Sequence, residues 1–437
     1  MNPTKNHSPI HSLPPELLTS ILTHLTRQET YPLLFVSKYF HSISLPKIWH
    51  TLSTTPIERL VTRSGEPMKG IGLRKLISNS KEFGFETIEG FKHVKEIHFN
   101  GPQDFVDTAV WVTSGLLEFI TGLIETGGIN LVRLEIDSVM NARAFRITAR
   151  VENLPHMCTF LNAIKHHSAA TIILKYVNNR ETDIDFPFEL FNPNNITSLD
   201  IIHSDTWGHN SHPRDSVIRN TTTLISILSQ TPYLKFLKLF LAYPLEEGTD
   251  QELETNFQNT ISSLSRLEVL QVTYALFSPS FFLTPPETTK SLTIMQHASQ
   301  TWWEKLSKYT SKNLETLRIF TRHAPAPRKR FPREIFYCFD MTTLELKNLK
   351  SFSMGCDEGP VPRGFFDLLY ANNPGLGEDL KKAEREDKLR IEKALKLELR
   401  SLLNAHEDED EDGDDEDEDE DDDDDEDDDD EDEDYDD

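Results

Sequence analysis

The sequence predicts an α/β protein with three parts: a short module of three helices, an irregular solenoid with parallel strands inside and helices outside, and a disordered acidic C-terminus. Three observations support this prediction. A proline-opened apolar run lies near the start, and an apolar triplet with strand spacing recurs from about residue 91 to residue 355. Of the 73 acidic residues, 29 lie in residues 407–437. A chain of 437 residues is long enough for two or three domains.

The first helix is predicted from the run Leu13–Leu25. Its apolar residues recur at one-, three- and four-residue steps, so they form a broad stripe on one side of the helix. They are Leu17, Leu18, Ile21, Leu22 and Leu25. Pro14 and Pro15 have the fixed φ that a first helical turn tolerates, which places the start of the helix beside them.

Two further helices are predicted in the next part of the chain. The second begins near Gln28, and its apolar face consists of Leu33, Val36 and Phe40. Pro46 opens a third, shorter helix that carries Ile48 and Trp49. Three helices in about fifty residues close only a thin core. The sequence therefore predicts that a partner covers part of their apolar surface.

The order of these residues, LPPELLTSIL followed by LLFVSKYF and a final IW, resembles the F-box. An F-box is a three-helix module that docks on the Skp-type adaptor of cullin–RING ubiquitin ligases. The resemblance implies that this adaptor, and through it a cullin–RING complex, is a partner. It implies adaptor-binding positions at Leu13, Pro14, Leu17, Ile21, Leu25, Val36 and Trp49. Ser37 stands where the family usually has cysteine. The alternative is an ordinary helical subdomain whose leucines form its own core.

The repeated triplet consists of an apolar residue, a second three positions later and a third two positions after that. The last two have strand spacing, and the first reaches in from the preceding loop. Clear copies are Val94-Ile97-Phe99, Leu131-Leu134-Ile136, Ile196-Leu199-Ile201, Leu234-Leu237-Leu239, Leu267-Leu270-Val272, Leu314-Leu317-Ile319 and Leu349-Phe352-Met354. Thr171-Leu174-Tyr176 and Thr289-Leu292-Ile294 are weaker copies.

Helical patterns separate many of the triplets, and this arrangement is similar to leucine-rich repeats. Such units cannot bury their apolar faces alone and must stack into a solenoid. The asparagine of regular repeats is mostly missing and the spacing is uneven, so we predict an irregular leucine-rich-repeat-like array, similar to those that follow the F-box in many fungal-type proteins. The alternative is a conventional α/β domain with a parallel sheet.

The predicted domain boundaries follow from these patterns. Residues 10–52 form the F-box-like module, 53–90 a junction, 91–372 the array with a terminal capping helix, 376–405 a charged helix and 406–437 the disordered tail. The tail cannot bury enough apolar surface to offset its ordering entropy. Without its 29 acidic residues the chain has 44 acidic and 45 basic residues, so the body is nearly neutral although the net charge is -28.

The cysteines indicate a reducing compartment. Cys158, Cys338 and Cys356 are scattered without a CxxC pair, unlike a secreted disulfide framework. The N-terminus has no secretory signal pattern, and no apolar run is long enough to span a membrane. We therefore expect a protein of the cytoplasm or nucleus that binds neither membrane nor nucleic acid.

No catalytic, cofactor or metal motif is recognised in the chain. The pairs His209/His212 and His166/His167 have no cysteine or carboxylate at a metal-site spacing, so we interpret them as solvated. A basic group consists of Arg322, Arg328, Lys329, Arg330 and Arg333. It is interpreted as a nuclear-import signal, a docking site for a phosphate-bearing substrate, a transient partner of the acidic tail or a solvated loop.

These observations predict a non-catalytic substrate-receptor subunit of an SCF-type cullin–RING ubiquitin ligase. The N-terminal helices would bind the adaptor, and the array would bind a target protein whose identity the sequence does not give. The chain has no RING-like cysteine set, so other subunits would supply the chemistry. The alternative function is an acidic-tailed scaffold or chaperone for basic proteins that acts independently of ubiquitin.

The target-binding residues are predicted from strand alternation. Residues that flank the second and third triplet positions point away from the core. Aromatic and basic residues at such positions are typical of interface hot spots. They are Phe236, Lys238, Phe240, Arg318 and Phe320. The alternatives are that loops of neighbouring repeats cover these rings or that the strand register is shifted by one residue.

Overall fold

The structure is a computed structural model of two compact units, Met1–Asp387 and Lys388–Asp437. It describes residues 13–53, 88–99, 115–139, 154–178, 184, 186, 188–203, 214–241, 251–273, 280–296, 299–321, 340–356, 361–386, 388, 389, 392 and 396. Several predictions concern residues outside these ranges: most of the junction, the pair His209/His212, the basic group and the acidic tail. All elements named below belong to the first unit.

The N-terminal module contains the helices α1 Pro15–His24, α2 Arg27–Thr30 and α3 Lys38–Trp49, with a 3-10 turn, Tyr31–Phe35, before α3. Pro15 lies in the first turn of α1, as predicted. A capping box starts α2: the Thr26 N–H donates to Glu29 Oε2 at 2.6 Å, and the Glu29 N–H donates to Thr26 Oγ1 at 3.2 Å. The proline and the capping box fix where α1 and α2 begin.

The third helix begins earlier than the sequence predicts. Ser37 caps it by accepting a hydrogen bond from the Phe40 N–H at 3.2 Å, so Phe40 belongs to α3 and not to the second helix. Pro46, the predicted start, lies inside α3. A proline there removes one backbone hydrogen bond. The helix continues through it because the neighbouring residues Leu45 and Ile48 are buried in the core.

Ten strands form one parallel sheet, and throughout the described residues their order in the sheet is their order in the chain. They are β1 Thr51–Ser53, β2 Glu96–Phe99, β3 Arg133–Val139, β4 Thr171–Asn178, β5 Ile196–His203, β6 Phe236–Leu241, β7 Val269–Thr273, β8 Ser291–Gln296, β10 Thr316–Thr321 and β12 Ser351–Cys356. The short strands β9 Thr310–Ser311 and β11 Glu345–Leu346 pair with each other. The predicted α/β class with parallel strands is confirmed.

The helices of the array pack on the buried side chains of the strands. They are α4 Leu116–Glu125, α5 Leu154–His167, α6 Arg214–Ser229, α7 Gln251–Ser263, α8 Gln300–Lys308 and α9 Phe365–Asn372. Buried strand residues join these helices in one hydrophobic core, and the strand residues between them are partly exposed. We call the surface made by these partly exposed residues the outer face. In the part of the chain that the structure describes, no helix is long and apolar enough to cross a bilayer.

Two rows of buried residues run across the strands in register. From β5 to β12 the first row is Leu199, Leu237, Leu270, Leu292, Leu317 and Phe352, and the second is Ile201, Leu239, Val272, Ile294, Ile319 and Met354. These residues are the last two positions of the predicted triplets, and all of them are buried. Parallel pairing therefore places equivalent repeat positions side by side.

The register changes at β4. The sequence predicts Leu174 and Tyr176 as the core pair of this strand, but Leu134 of β3 lies opposite Ile172. On the other side of β4, Leu174 lies opposite Leu199. Strand alternation buries Ile172, Leu174 and Tyr176 together, and each pairing of β4 contains one irregularity. The first buried row therefore shifts by two residues at β4, from Ile172 on the β3 side to Leu174 on the β5 side.

The helix α9 packs at the end of the sheet beside β12. Phe365 is fully buried against Trp303 of α8 and Phe352 of β12, with ring centroids 5.3 and 6.0 Å apart. The Asn373 side chain after the helix accepts a hydrogen bond from the Leu349 N–H at 3.0 Å. The end of the array is therefore covered by apolar packing and fixed by hydrogen bonding.

The module leads directly into the first strand of the sheet. The residue between α3 and β1 is His50, and its carbonyl accepts hydrogen bonds from Lys95 and Glu96 at 2.9 and 3.0 Å. Trp49 packs on Phe91 with ring centroids 5.2 Å apart. A Cβ added to Gly90 would lie 2.0 Å from the Trp49 ring, so only glycine fits beneath it.

Replacing Gly90 with alanine tests this joint. The methyl group would displace the Trp49 ring, and overpacking of this kind costs about 1–3 kcal/mol. We expect a clear fall in the melting temperature of Gly90→Ala. The matched control is Gly122→Ala in α4, where an added Cβ meets nothing within 4 Å. That change should leave the melting temperature the same or raise it, and equal behaviour of the two variants would contradict the packing described.

Candidate functional site

One side of α1 is buried and the adjacent side is exposed, although both sides carry apolar residues. Leu18 and Leu22 lie in the core, whereas Leu17 and Ile21 are 53% and 46% exposed. Residues four apart on a helix lie on the same side of it. Exposed large apolar side chains placed together in this way indicate a binding surface.

The chain after α2 adds two more exposed apolar residues. Phe35 is 74% exposed and Val36 is 58% exposed. We call Leu17, Ile21, Phe35 and Val36 the module surface. Phe35 is not among the residues predicted from the sequence, because the prediction was an α-helix with Leu33, Val36 and Phe40 on its apolar face. The structure has a 3-10 turn there instead, and the apolar run itself was the available signal.

The other residues predicted to bind the adaptor lie in different surroundings. Pro14 is exposed, and Leu13 and Leu25 are half-buried. Trp49 is 8% exposed because it packs on Phe91. Trp49 therefore belongs to the joint with the array, and its side chain does not contribute to the module surface.

Polar contacts hold the helices that carry the module surface. The Lys47 ammonium of α3 donates to the carbonyl oxygens of Leu22 and Leu25 at the end of α1. A cation there also suits the negative end of the helix dipole. Hydrogen bonds from the Thr26 N–H and hydroxyl lower the pKa of the Glu29 carboxyl. These contacts tie α1 to α3 and fix the start of α2.

A family model described as F-box-like matches residues 10–55. Residues 10–55 are thus an F-box-like domain. A comparison with curated proteins finds no match. F-box domains in general bind Skp-type adaptors, and the proteins that carry them are in general non-catalytic substrate receptors of SCF complexes. The predicted F-box resemblance is confirmed for this part of the chain.

The residues predicted to bind a target lie on the outer face. Phe236, Phe240 and Phe320 are half-buried, and Arg318 is exposed. They alternate with buried core residues of β6 and β10, as the predicted strand alternation requires. The Phe320 ring lies against Gly355, where an added Cβ would come within 2.7 Å of it.

The register of the sheet brings some of these residues into one row. Phe240 lies opposite Ile202 on one side and Thr273 on the other, and Thr273 lies opposite Met295. Met295 in turn lies opposite Phe320. Ile202 and Met295 are not among the predicted target-binding residues, although the same alternation in β5 and β8 indicates them. Phe236 lies four residues before Phe240 and therefore outside this row.

Charged residues on the outer face pair across neighbouring strands. The Lys238 ammonium lies 3.0 Å from Asp200, and the Lys175 ammonium lies 3.0 Å from Asp137. Cross-strand pairs of opposite charge stabilise a sheet by a few tenths of a kcal/mol to about 1 kcal/mol. Lys238, a predicted target-binding residue, therefore already has an acidic partner within the sheet.

Within the ranges that the structure covers, no group of three or more His, Cys, Asp or Glu side chains could hold a metal ion. His166 and His167 are exposed in the last turn of α5. Trp302 and Trp303 are buried in α8, and the Trp302 ring packs on Phe282 at 5.3 Å between centroids. These tryptophans thus belong to the core of the array.

Proposed function

We propose that the protein is a substrate-receptor subunit of an SCF-type cullin–RING ubiquitin ligase. The observation that carries this proposal is the module surface, four exposed large apolar side chains within the F-box-like domain. Covering such side chains with a partner lowers the free energy, because apolar surface is removed from water. The occupant is a Skp-type adaptor, which links the chain to a cullin–RING complex.

The adaptor contacts Leu17, Ile21, Phe35 and Val36 directly. Pro14, Leu13 and Leu25 lie on or beside α1 and form the margin of the contact. Trp49 acts indirectly, because its packing on Gly90 and Phe91 holds α3 against the array. This assignment differs from the sequence prediction only for Phe35 and Trp49.

The array is an irregular leucine-rich-repeat-like solenoid. This proposal is supported by the sequential order of parallel strands and by the two buried rows that the repeated triplets form. A conventional α/β domain usually places helices on both faces of such a sheet. Here the alternate strand residues remain partly exposed, and they provide an accessible surface.

The target protein binds this outer face. Phe236, Phe240 and Phe320 supply apolar contact area, and Lys238 and Arg318 supply charge beside it. Aromatic and arginine side chains dominate the binding energy of many interfaces. The receptor performs no chemistry of its own, since it raises the effective concentration of the target's lysines near the ubiquitin-charged enzyme.

Replacing Leu17 and Ile21 with aspartate tests the adaptor contact. Both side chains are exposed, so Leu17→Asp/Ile21→Asp should fold with an unchanged circular dichroism spectrum. Burying the new charges at an apolar interface would cost several kcal/mol. We expect co-purification of a Skp-type adaptor to be lost.

The control carries the same charge change on the same helix. Thr19 and Thr23 are exposed and turned about 200° away from Leu17 and Ile21. Thr19→Asp/Thr23→Asp should retain the adaptor. Undiminished adaptor recovery by the Leu17/Ile21 variant would refute the F-box function.

Replacing Phe236 and Phe240 with serine tests the outer face. Proteins captured by the wild-type chain should be lost from Phe236→Ser/Phe240→Ser, while adaptor recovery and the melting temperature stay nearly unchanged. The control Gln271→Ser/Thr293→Ser alters two polar residues of the same face and should keep the captured proteins. If the phenylalanine variant unfolds, the rings are core residues and the outer-face proposal is wrong.

A further inference from the structure

The turns that precede the strands lie along one edge of the sheet, and a charged residue recurs at the same position in them. The residues immediately before β6, β7, β8, β10 and β12 are Lys235, Glu268, Lys290, Glu315 and Lys350. From Glu268 onward, the backbone N–H of each residue donates to the carbonyl oxygen of the preceding residue in this row, at N···O distances of 2.7 to 2.8 Å. The row therefore places alternating charges on adjacent strands.

The lysines of this row have acidic partners inside the array. Lys290 lies 2.9 Å from Glu268, and Lys350 lies 2.9 Å from Glu315. The hydrogen bond between the first two raises the pKa of Lys290 and lowers that of Glu268. This row is largely neutralised by its own side chains.

Two other lysines on the same edge are not neutralised in this way. Lys312-Asn313-Leu314 before β10 recurs as Lys347-Asn348-Leu349 before β12. The Asn348 Nδ2 group donates to the Lys312 carbonyl at 2.5 Å, so the two turns stack directly. Adjacent strands are about 4.8 Å apart, which places the two lysines side by side.

Their acidic neighbours are few. Among the residues that the structure describes, no carboxylate lies within 4.0 Å of the Lys312 ammonium, and the partner of Lys347 is the exposed Glu345 at 3.9 Å. Two like charges held together without a strong counterion favour the binding of an anion from outside.

These lysines line a basin with a fixed wall. Lys290, Lys312, Lys347, Lys350 and Glu315 line it, together with the turn of residues 373–375 after α9. Asn373 is buried and donates to the carbonyls of Leu346 and Leu369 at 2.5 and 3.2 Å, which holds that turn in place. The cationic groups are therefore presented around a preformed depression.

We propose that this basin binds an acidic segment of a protein target, with aspartate and glutamate side chains paired to Lys312 and Lys347. Lys290 and Lys350 lie two strand spacings apart, about 10 Å, with Glu315 between them. A single phosphate can contact Lys312 and Lys347 but cannot reach Lys290 and Lys350 at the same time, and Glu315 repels any anion placed between those two. Carboxylates on one side of an extended peptide are about 6.8 Å apart, so they can pair with separated lysines and leave the position beside Glu315 unoccupied. That the segment belongs to a target rests on the proposed receptor function.

The test measures binding of a fluorescein-labelled octapeptide of alternating Asp and Glu to the full chain by fluorescence anisotropy. Exposed ion pairs are individually weak, so the loss of both in Lys312→Gln/Lys347→Gln should weaken binding about tenfold. Binding to the wild-type chain should also weaken as NaCl is raised. The matched control is Lys92→Gln/Lys381→Gln, which removes two exposed lysines outside the basin. This control should bind like the wild-type chain.

Two results would overturn the proposal. One is no binding by the wild-type chain, or equal loss in both double variants, because the basin would then have no special role. The other is tighter binding of an octapeptide of Asn and Gln with one phosphoserine, because the ligand would then be a phosphate. Adaptor co-purification with each variant is measured in parallel. It reports on the module surface alone and separates a failure of the basin from a failure of the receptor function.

Discussion

The parallel pairing of successive strands is the constraint on which the rest of the structure depends. Because the strands follow one another in chain order, equivalent positions of successive repeats stack at about 4.8 Å. Leucine and isoleucine at two of these positions build continuous buried rows, and a slip of one residue would move a whole strand's apolar set to the outer face. The same stacking that forms the core also aligns the outer-face residues and the charged turns.

Strand β1 extends the parallel pairing to the N-terminal module. The helix α3 leads into that strand after a single residue, and the strand pairs with β2 as the first member of the sheet. At the end of α3, the Trp49 ring packs over Gly90, which lies before β2. Under the proposed function, a module surface with a definite place relative to the outer face sets the position of the target's lysines for ubiquitin transfer.

Much of the fold could be predicted because apolar spacing is a local property. The triplets predicted the strands, and the alternation within them predicted that Phe236, Phe240 and Phe320 point away from the core. The start of α3 could not be predicted from spacing alone, since it depends on the Ser37 cap. The exposure of Phe35 depends on a 3-10 turn, and the burial of Trp49 depends on Gly90, which is distant in sequence. Such features follow from backbone geometry and long-range packing.

Hydrogen–deuterium exchange with and without a purified Skp-type adaptor tests the central claim most directly. If the adaptor covers the module surface, backbone amides in α1 and in residues 31–36 should exchange more slowly when it is bound. Strands β6 to β10 should be unchanged. Unaltered exchange in α1 and residues 31–36, or protection confined to the strands of the array, would contradict the account.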